Sequence, residues 1–269
     1  MKIIKSPSPN FNERPTVVDS IIIHYTDMMS AQKALEWLIN PESQVSCHYL
    51  IDEEGQIYKL VEEKMRAWHA GESYWQGRTN INDCSIGIEL ANPGHTHGYI
   101  PFPEVQINSL INLCKEIQNR WRIPSSRILG HSDIAPQRKQ DPGHLFPWEK
   151  LAKEGLGLWP TSIYSLDMKA PYMCHHPLSS SRRRGSKQCM GSRLRGNDTG
   201  GHSHKGSSTH LGIDGHSRQL NVIEVLSEIG YETTSPTHAL MAFQRHFQPH
   251  KVDGIADQET YSLLYKIQA

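Results

Sequence analysis

One stretch of the chain, residues 130–143, brings a histidine, a lysine and a carboxylate into a single loop. Its sequence is GHSDIAPQRKQDPG, and the Pro and Gly residues in it disfavour a regular helix or strand. His131 and Asp141 lie ten residues apart, which lets both side chains turn back toward one point. Neutral imidazole and carboxylate both suit Zn²⁺, and a catalytic zinc usually has three protein ligands and one position for water. The loop therefore predicts two metal ligands, with a third to come from elsewhere.

A third candidate lies in an apolar run, residues 21–26, whose sequence is IIIHYT. Isoleucines followed by His24 are typical of a buried central strand that presents a side chain at its tip. The alternative is a hydrogen-bonded core histidine, which is the commoner role for any single histidine. Because the loop at residues 130–143 already carries two candidate metal ligands, we favour the ligand role for His24.

A glutamate interrupts a second apolar run, residues 85–90, whose sequence is SIGIEL. Strand alternation puts the two isoleucines and the leucine on one face and Glu89 on the other, beside the small residues Ser85 and Gly87. A carboxylate inside an apolar strand is costly unless it has a use. We therefore expect Glu89 to have a functional role.

Together the motifs IIIHYT, SIGIEL and GHSDIAPQRKQDPG resemble the zinc-dependent N-acetylmuramoyl-L-alanine amidases of the type 2 amidase family, and among them the bacterial AmpD/AmiD-like branch. The resemblance covers residues 15–160. It implies one bound Zn²⁺ and hydrolysis of the amide bond between N-acetylmuramic acid and L-alanine of the stem peptide. The substrate would be peptidoglycan or (anhydro)muropeptides, in cell-wall turnover and recycling. All five positions that carry this chemistry hold the expected residue type: His24, His131 and Asp141 as ligands, and Glu89 and Lys139 as catalytic groups.

The resemblance also implies how these groups divide the work. Zinc lowers the pKa of a bound water, and Glu89 is the expected general base that later returns the proton to the leaving amine. Lys139 is expected to stabilise the oxyanion together with zinc. The alternative for Lys139 is a surface cation paired with Asp133 or Asp141. Asp133 itself is expected to orient the loop or a ligand ring rather than to bind the metal.

Residues 66–82 form a segment rich in aromatic residues, Gly and Asn, with too little periodicity for a core element. Exposed tryptophan faces stack on sugar rings, and Arg or Asn side chains give directional hydrogen bonds to acyl and carboxylate groups. The resemblance places this segment along the substrate groove, with Trp68, His69 and Arg78 as candidate substrate-binding residues. Alternatively, the tryptophan only anchors a long loop. His69 is a wall residue or a partner of the bound peptide rather than a fourth ligand, which would close the open metal position.

The surrounding sequence predicts the elements that position these groups. Ser30 precedes a helical pattern that stops before Pro41, residues 46–61 form a hairpin, and residues 104–121 carry the apolar stripe of a long helix. A short strand, residues 127–130, leads into the metal-type loop. Strands with intervening helices and one hairpin imply an α/β fold with a mixed central β-sheet flanked by helices.

The composition changes after about residue 160. We expect a catalytic domain over residues 1–165, a flexible linker or insert over residues 166–218, and a small C-terminal three-helix domain over residues 219–269. The insert is rich in Ser, Gly and Arg without apolar periodicity. The helical pattern after it resembles the peptidoglycan-binding type 1 domain. Since about 50 residues cannot bury a large core alone, docking against the catalytic domain is expected.

The overall composition limits the other functions to consider. Lys and Arg balance Asp and Glu at 28 each, so global charge indicates neither a nucleic-acid nor a membrane partner. The sequence contains no run of 18 apolar residues, so it predicts no transmembrane helix. The first residues lack the apolar core of a secretory signal, which predicts a cytoplasmic location, with a periplasmic or envelope location as the alternative if a leader is missing. Five cysteines without a CxxC pair fit reduced thiols.

Three other functions stay open from the sequence. The first is a non-catalytic peptidoglycan-recognition protein, which loss of a ligand or of the glutamate would indicate; neither is lost. The second is nucleic-acid binding by the basic residues 182–195, for which a solvated insert is the simpler interpretation. The third is a zinc hydrolase of a non-muramyl amide.

Overall fold

The computed structural model describes residues 2–160 and 221–268. Both ranges belong to one compact unit. The predicted insert, residues 166–218, lies outside the described residues, and the proposed boundaries at 165 and 219 stay predictions. No helix in the described ranges is both long and apolar enough to cross a membrane.

The described strands are β1 (Ile3–Lys5), β2 (Phe11–Glu13), β3 (Ser20–Tyr25), β4 (Tyr49–Ile51), β5 (Ile57–Lys59), β6 (Met65–Ala67), β7 (Tyr74–Trp75), β8 (Arg78–Thr79), β9 (Ser85–Leu90) and β10 (Ile128–Gly130). Six of them form a central sheet in the order β1-β5-β4-β9-β3-β10. Within that sheet β4 and β5 pair antiparallel, as the predicted hairpin requires, and the other neighbours pair parallel. The predicted mixed sheet is confirmed.

Helices flank this sheet and complete the predicted α/β fold. They are α1 (Ala31–Ile39), α2 (Gly94–His97), α3 (Glu104–Trp121), α4 (His131–Ile134), α5 (Trp148–Lys153), α6 (Val222–Ile229), α7 (Pro236–Phe247) and α8 (Gln258–Gln268). The Ser30 hydroxyl accepts a hydrogen bond from the Lys33 amide and caps α1, which ends before Pro41 as the sequence predicts. The long predicted helix is α3.

The two central strands, β3 and β9, are buried and set the position of the site. Ile21 and Ile23 of β3 pack with the isoleucines of β9 into a core covered by α3. Because side chains alternate along a strand, His24 and Glu89 lie on the opposite face, and they are direct neighbours in the register of the two strands.

The C-terminal helices pack on the same face of the sheet as His24 and Glu89. Ile22 of β3, Leu129 of β10 and Ile134 of α4 share one buried apolar cluster with Leu226 and Phe243 of the C-terminal helices. These residues are at most 5% exposed, so the interface is a continuous core rather than a loose contact. The expected docking of the C-terminal helices is confirmed.

Candidate metal centre and active site

Three buried side chains meet where β3, α4 and the following loop converge. His24 Nδ1 lies 3.0 Å from His131 Nδ1 and 3.0 Å from Asp141 Oδ2, and the His131 Nδ1–Asp141 Oδ2 distance is 3.1 Å. His24 is at the end of β3, His131 opens α4, and Asp141 follows on the loop. The Ser132 amide donates to the Asp141 carbonyl, which ties the backbones around the two predicted loop ligands together. The predicted ligands are therefore neighbours.

The donor chemistry and spacing of this cluster fit a metal ion. Tetrahedral zinc, with ligand distances of about 2.0–2.1 Å, keeps its ligand atoms about 3.3 Å apart, close to the spacing found here. Burial and the neighbouring His131 lower the pKa of His24 to about 4, so its imidazole is neutral at physiological pH, the form that binds metals. Burial alone would raise the pKa of Asp141, but the two imidazoles hold it well below its usual range. Asp141 is therefore a carboxylate.

A backbone carbonyl sets the orientation of the His131 ring. His131 Nε2 lies 3.0 Å from the Ala70 carbonyl oxygen and donates to it, which leaves the Nδ1 lone pair for a metal. Arg138 donates to the same oxygen at 2.9 Å and also to the Glu72 carbonyl. Arg138 therefore connects the loop at residues 130–143 to the segment around Ala70 and Glu72, which orients His131.

His69 sets the orientation of the His24 ring through a chain of hydrogen bonds. The Ser85 hydroxyl donates to the Ile81 carbonyl at 2.6 Å, so its oxygen accepts from His69 Nε2 at 3.2 Å. His69 Nδ1 is then the acceptor for His24 Nε2, 3.0 Å away, and His24 Nδ1 keeps its lone pair for a metal. Both ring nitrogens of His69 are used in this chain. This arrangement assigns His69 an orienting role and leaves no ring nitrogen for the substrate contact predicted for it.

Glu89 and the three predicted ligands line one cavity of about 300 Å³. Lys139 and Trp68 line the same cavity. Glu89 Oε2 is buried and has no hydrogen-bond partner within the described residues. Burial, and then the nearby Asp141 carboxylate, raise the pKa of Glu89 well above its ordinary value. An unpartnered carboxylate with a raised pKa, next to a metal-type cluster, has the properties of a proton acceptor.

Comparison with known proteins identifies the family. The family profile described as N-acetylmuramoyl-L-alanine amidase matches residues 13–144. The amidase AmiD of Escherichia coli is 34% identical over 266 residues, an alignment that covers 90% of this chain and 79% of AmiD. The chain belongs to the N-acetylmuramoyl-L-alanine amidase family. The predicted enzyme, which hydrolyses the bond between N-acetylmuramic acid and L-alanine, is confirmed by this membership.

Other relatives and solved structures align with different shares of this chain. The 1,6-anhydro-N-acetylmuramyl-L-alanine amidase AmpD of Haemophilus influenzae is 37% identical over 163 residues, which is 53% of this chain and 86% of AmpD. A solved complex of Escherichia coli AmiD with a substrate has a TM-score of 0.66 at 32% identity, covering 93% of this chain and 88% of AmiD. AmpDh3 of Pseudomonas aeruginosa has a TM-score of 0.66 at 26% identity, covering 97% and 93%. The alignments with AmiD and AmpDh3 therefore cover more of this chain than the alignment with AmpD does.

The remaining predicted site residues of the amidase lie in different places. Lys139 is exposed and lines the cavity; in the described part of the chain it forms no ion pair with Asp133 or Asp141. Trp68 also lines the cavity, and its indole nitrogen donates to the Asn12 side chain at 2.8 Å. Arg78, on β8, pairs with Asp19 at 2.6 Å and is not among the residues that line the cavity. This placement gives no support to a substrate contact for Arg78.

Two features of the amidase site were missed by sequence reasoning. Arg138 is adjacent to Lys139 in the loop motif, and that position was its only signal. Trp37 lines the cavity from the exposed side of α1 and is 47% exposed. A tryptophan on the polar side of an amphipathic helix was the available signal for a binding surface.

Gly87 leaves the space that the His69 ring occupies. A Cβ atom at Gly87 would lie 2.6 Å from His69 Nδ1, closer than side chains approach. We therefore expect Gly87→Ala to displace His69, to destabilise the amidase by about 1–3 kcal/mol and to weaken metal binding. Denaturant unfolding and competition with a zinc chelator measure the two effects.

The control for Gly87→Ala is the same change in a His69→Ala background. Removing the ring removes the overlap, so Gly87→Ala should cost little further stability there, a non-additivity that isolates the contact. Equal costs in both backgrounds would show that the backbone, not His69, requires the glycine.

Proposed function

We propose that the amidase binds one Zn²⁺ through His24, His131 and Asp141 and that Glu89 and Lys139 are its catalytic groups. The observation that carries this proposal is the buried triangle of two imidazole nitrogens and one carboxylate oxygen, 3.0–3.1 Å apart. It offers three ligands and leaves a fourth position toward the cavity, as catalytic zinc sites do. Hydrogen bonds donated by His24 Nε2 to His69 and by His131 Nε2 to the Ala70 carbonyl support the two imidazoles in the tautomers that metal binding needs.

The reaction assigns separate roles to the residues around this centre. Zinc, when bound, supplies a Lewis acid that lowers the pKa of a bound water toward neutrality. Glu89 takes the proton from the attacking water and delivers it to the nitrogen of the leaving L-alanine. Its buried position and raised pKa suit a group that must hold a proton between these two steps.

Lys139 is proposed to stabilise the negative charge that develops on the carbonyl oxygen of the scissile amide. It lies on the loop two residues before Asp141, lines the cavity and is not held in an ion pair with either loop aspartate. A cation placed where negative charge develops lowers the barrier more in a cavity than in open solvent.

Anhydro-muropeptides are the substrates we propose. The solved complex of Escherichia coli AmiD contains anhydro-N-acetylmuramic acid-L-Ala-D-γ-Glu-L-Lys, and a complex of Pseudomonas aeruginosa AmpDh3 contains an anhydromuramic pentapeptide. Trp68 at the cavity wall offers a ring face for a sugar. The resemblance of residues 219–269 to a peptidoglycan-binding module supports intact peptidoglycan as a second substrate.

Product analysis tests this function directly. The full chain is incubated with purified sacculi and, separately, with anhydro-muropeptides, and the products are identified by mass spectrometry. We expect free stem peptides to be released, release to stop when a chelator is added, and release to return with Zn²⁺. No release from either substrate by zinc-loaded protein would contradict the proposal. A preference for the soluble fragments would indicate recycling, and a preference for sacculi would indicate turnover of the polymer.

A further inference from the structure

Asp133 links the metal-binding loop to the C-terminal helices. Its side chain is 1% exposed, and three hydrogen-bond donors surround it. The Gly130 amide donates to Oδ2 at 2.7 Å, His246 Nδ1 lies 2.8 Å from the same oxygen, and the Tyr231 hydroxyl donates to Oδ1 at 2.8 Å. Two of the three donors therefore come from residues about 100 positions away in the sequence.

The bond from Gly130 to Asp133 holds the turn at which His131 begins. Gly130 ends β10, and α4 starts with His131, so this bond fixes the direction in which the chain leaves the sheet. The turn is tightly packed, since a Cβ atom at Gly130 would lie 2.7 Å from the ring of Pro142. Movement of Asp133 would therefore move the backbone that presents His131.

The two C-terminal donors, Tyr231 in the connection between α6 and α7 and His246 on α7, are themselves held in place. The His246 ring lies between two aromatic rings, stacked on Trp148 at a centroid distance of 3.8 Å and on Phe247 at 4.1 Å. The Tyr231 ring packs edge-on against Trp75 at 5.0 Å. Burial, and then Asp133, raise the pKa of Tyr231 well above its ordinary value, so its hydroxyl keeps the proton that it donates.

The unused nitrogen of His246 shows which tautomer makes this contact. Nε2 is buried and has no hydrogen-bond partner within the described ranges. A proton there would be a buried donor without an acceptor, which costs free energy, whereas a bare lone pair costs less. His246 therefore carries its proton on Nδ1 and donates it to Asp133.

We propose that Tyr231 and His246 are positioning residues of the amidase, which act on the metal centre by holding Asp133 and, through it, the turn that presents His131. The inference rests on the proposed zinc function of His131. It gives the C-terminal helices a role in building the active site, apart from any binding of peptidoglycan. Neither residue is among those that line the cavity.

Removal of the Tyr231 hydroxyl tests the proposal in the full chain. In Tyr231→Phe the ring stays in place and one hydrogen bond to Asp133 is lost. We expect zinc affinity, measured by competition with a chelator, to fall by up to about 10-fold, the lower end of the range for direct partners of ligands, because Tyr231 acts through Asp133. We expect kcat on anhydro-muropeptide to fall at saturating zinc while KM stays unchanged.

Tyr49→Phe is the matched control for this variant. The Tyr49 hydroxyl donates to the buried Glu63 carboxylate at 2.7 Å, on the other face of the sheet, so it loses a bond of the same kind away from the metal loop. Both variants should lower the melting temperature, and only Tyr231→Phe should lower zinc affinity. Equal zinc affinity and kcat in wild type and Tyr231→Phe would overturn the proposal.

His246 supplies a second and independent comparison. His246→Asn keeps a nitrogen donor near the position of Nδ1, and His246→Leu has none, while both lose the stacked ring. Zinc affinity should therefore fall in the leucine variant and be retained in the asparagine variant at similar stability. An equal loss in both would overturn the role of the hydrogen bond. If wild-type protein itself bound no zinc, the proposed function would fail, and this is seen before any variant is compared.

Discussion

Glu89→Gln should lower kcat by roughly 10²–10⁴-fold and leave zinc bound, since a positioned general base typically contributes that much to the rate. Glutamine has nearly the same shape but cannot take the proton from water. Because Glu89 is not one of the three clustered ligand residues, zinc content and zinc affinity should stay close to those of the wild type. Steady-state kinetics on anhydro-muropeptide and metal analysis of the purified variant give both values.

The same substitution should make the metal-free protein more stable at neutral pH. The native pKa of Glu89 is raised above its ordinary value of 4.5 by burial and by Asp141, so the native state holds this proton more tightly than the unfolded state does. Stability therefore falls as the pH rises from about the ordinary value through the native one, and glutamine removes that loss. Unfolding of both proteins as a function of pH should show a difference that grows with pH.

Glu63→Gln is the control for both effects. Glu63 is also a buried carboxylate, but it accepts hydrogen bonds from Tyr49, Arg120 and Trp121 and does not line the cavity. Its replacement should lower stability and leave kcat unchanged, the opposite pattern to that of Glu89→Gln. A near wild-type rate in Glu89→Gln would show that another group is the base.

The fold was predictable because each element carries its own local signals. Apolar β-branched runs mark β3 and β9, Ser30 and Pro41 bracket α1, and alternation in residues 85–90 separates Glu89 from the core side of its strand. The convergence of the three ligand residues followed from the loop motif and from the position of His24 at a strand end. These inferences needed only short-range patterns and the resemblance.

The role of His69 was not predictable from such patterns. Its sequence surroundings, with Trp68 and Gly71, suggest a groove, but the direction of its ring depends on the space above Gly87 and on the Ser85 hydroxyl. The contact of Asp133 with Tyr231 and His246 is likewise hidden, since it joins residues about 100 positions apart. Long-range side-chain contacts leave no periodic signal in the sequence.

His131→Ala is expected to abolish tight zinc binding and, with it, turnover. Loss of an outer partner of a ligand costs roughly 10–100-fold in affinity or activity, and loss of one of three ligands should cost more. Zinc at 100 times its dissociation constant should stabilise wild-type protein by about 2.7 kcal/mol, and it should leave the melting temperature of the variant unchanged. Thermal unfolding with and without zinc measures this difference.

His238→Ala is the control for His131→Ala, because His238 is exposed on α7 and contacts Ser235 rather than the metal cluster. It removes a histidine from the chain and should keep both the zinc-dependent stabilisation and the activity. Loss of zinc binding in His131→Ala with retained binding in Glu89→Gln would separate the two halves of the site. The first variant removes the centre that activates water, and the second removes the group that accepts its proton. If His131→Ala still showed wild-type stabilisation by zinc, the ion would bind elsewhere, and the buried triangle would not be the catalytic centre.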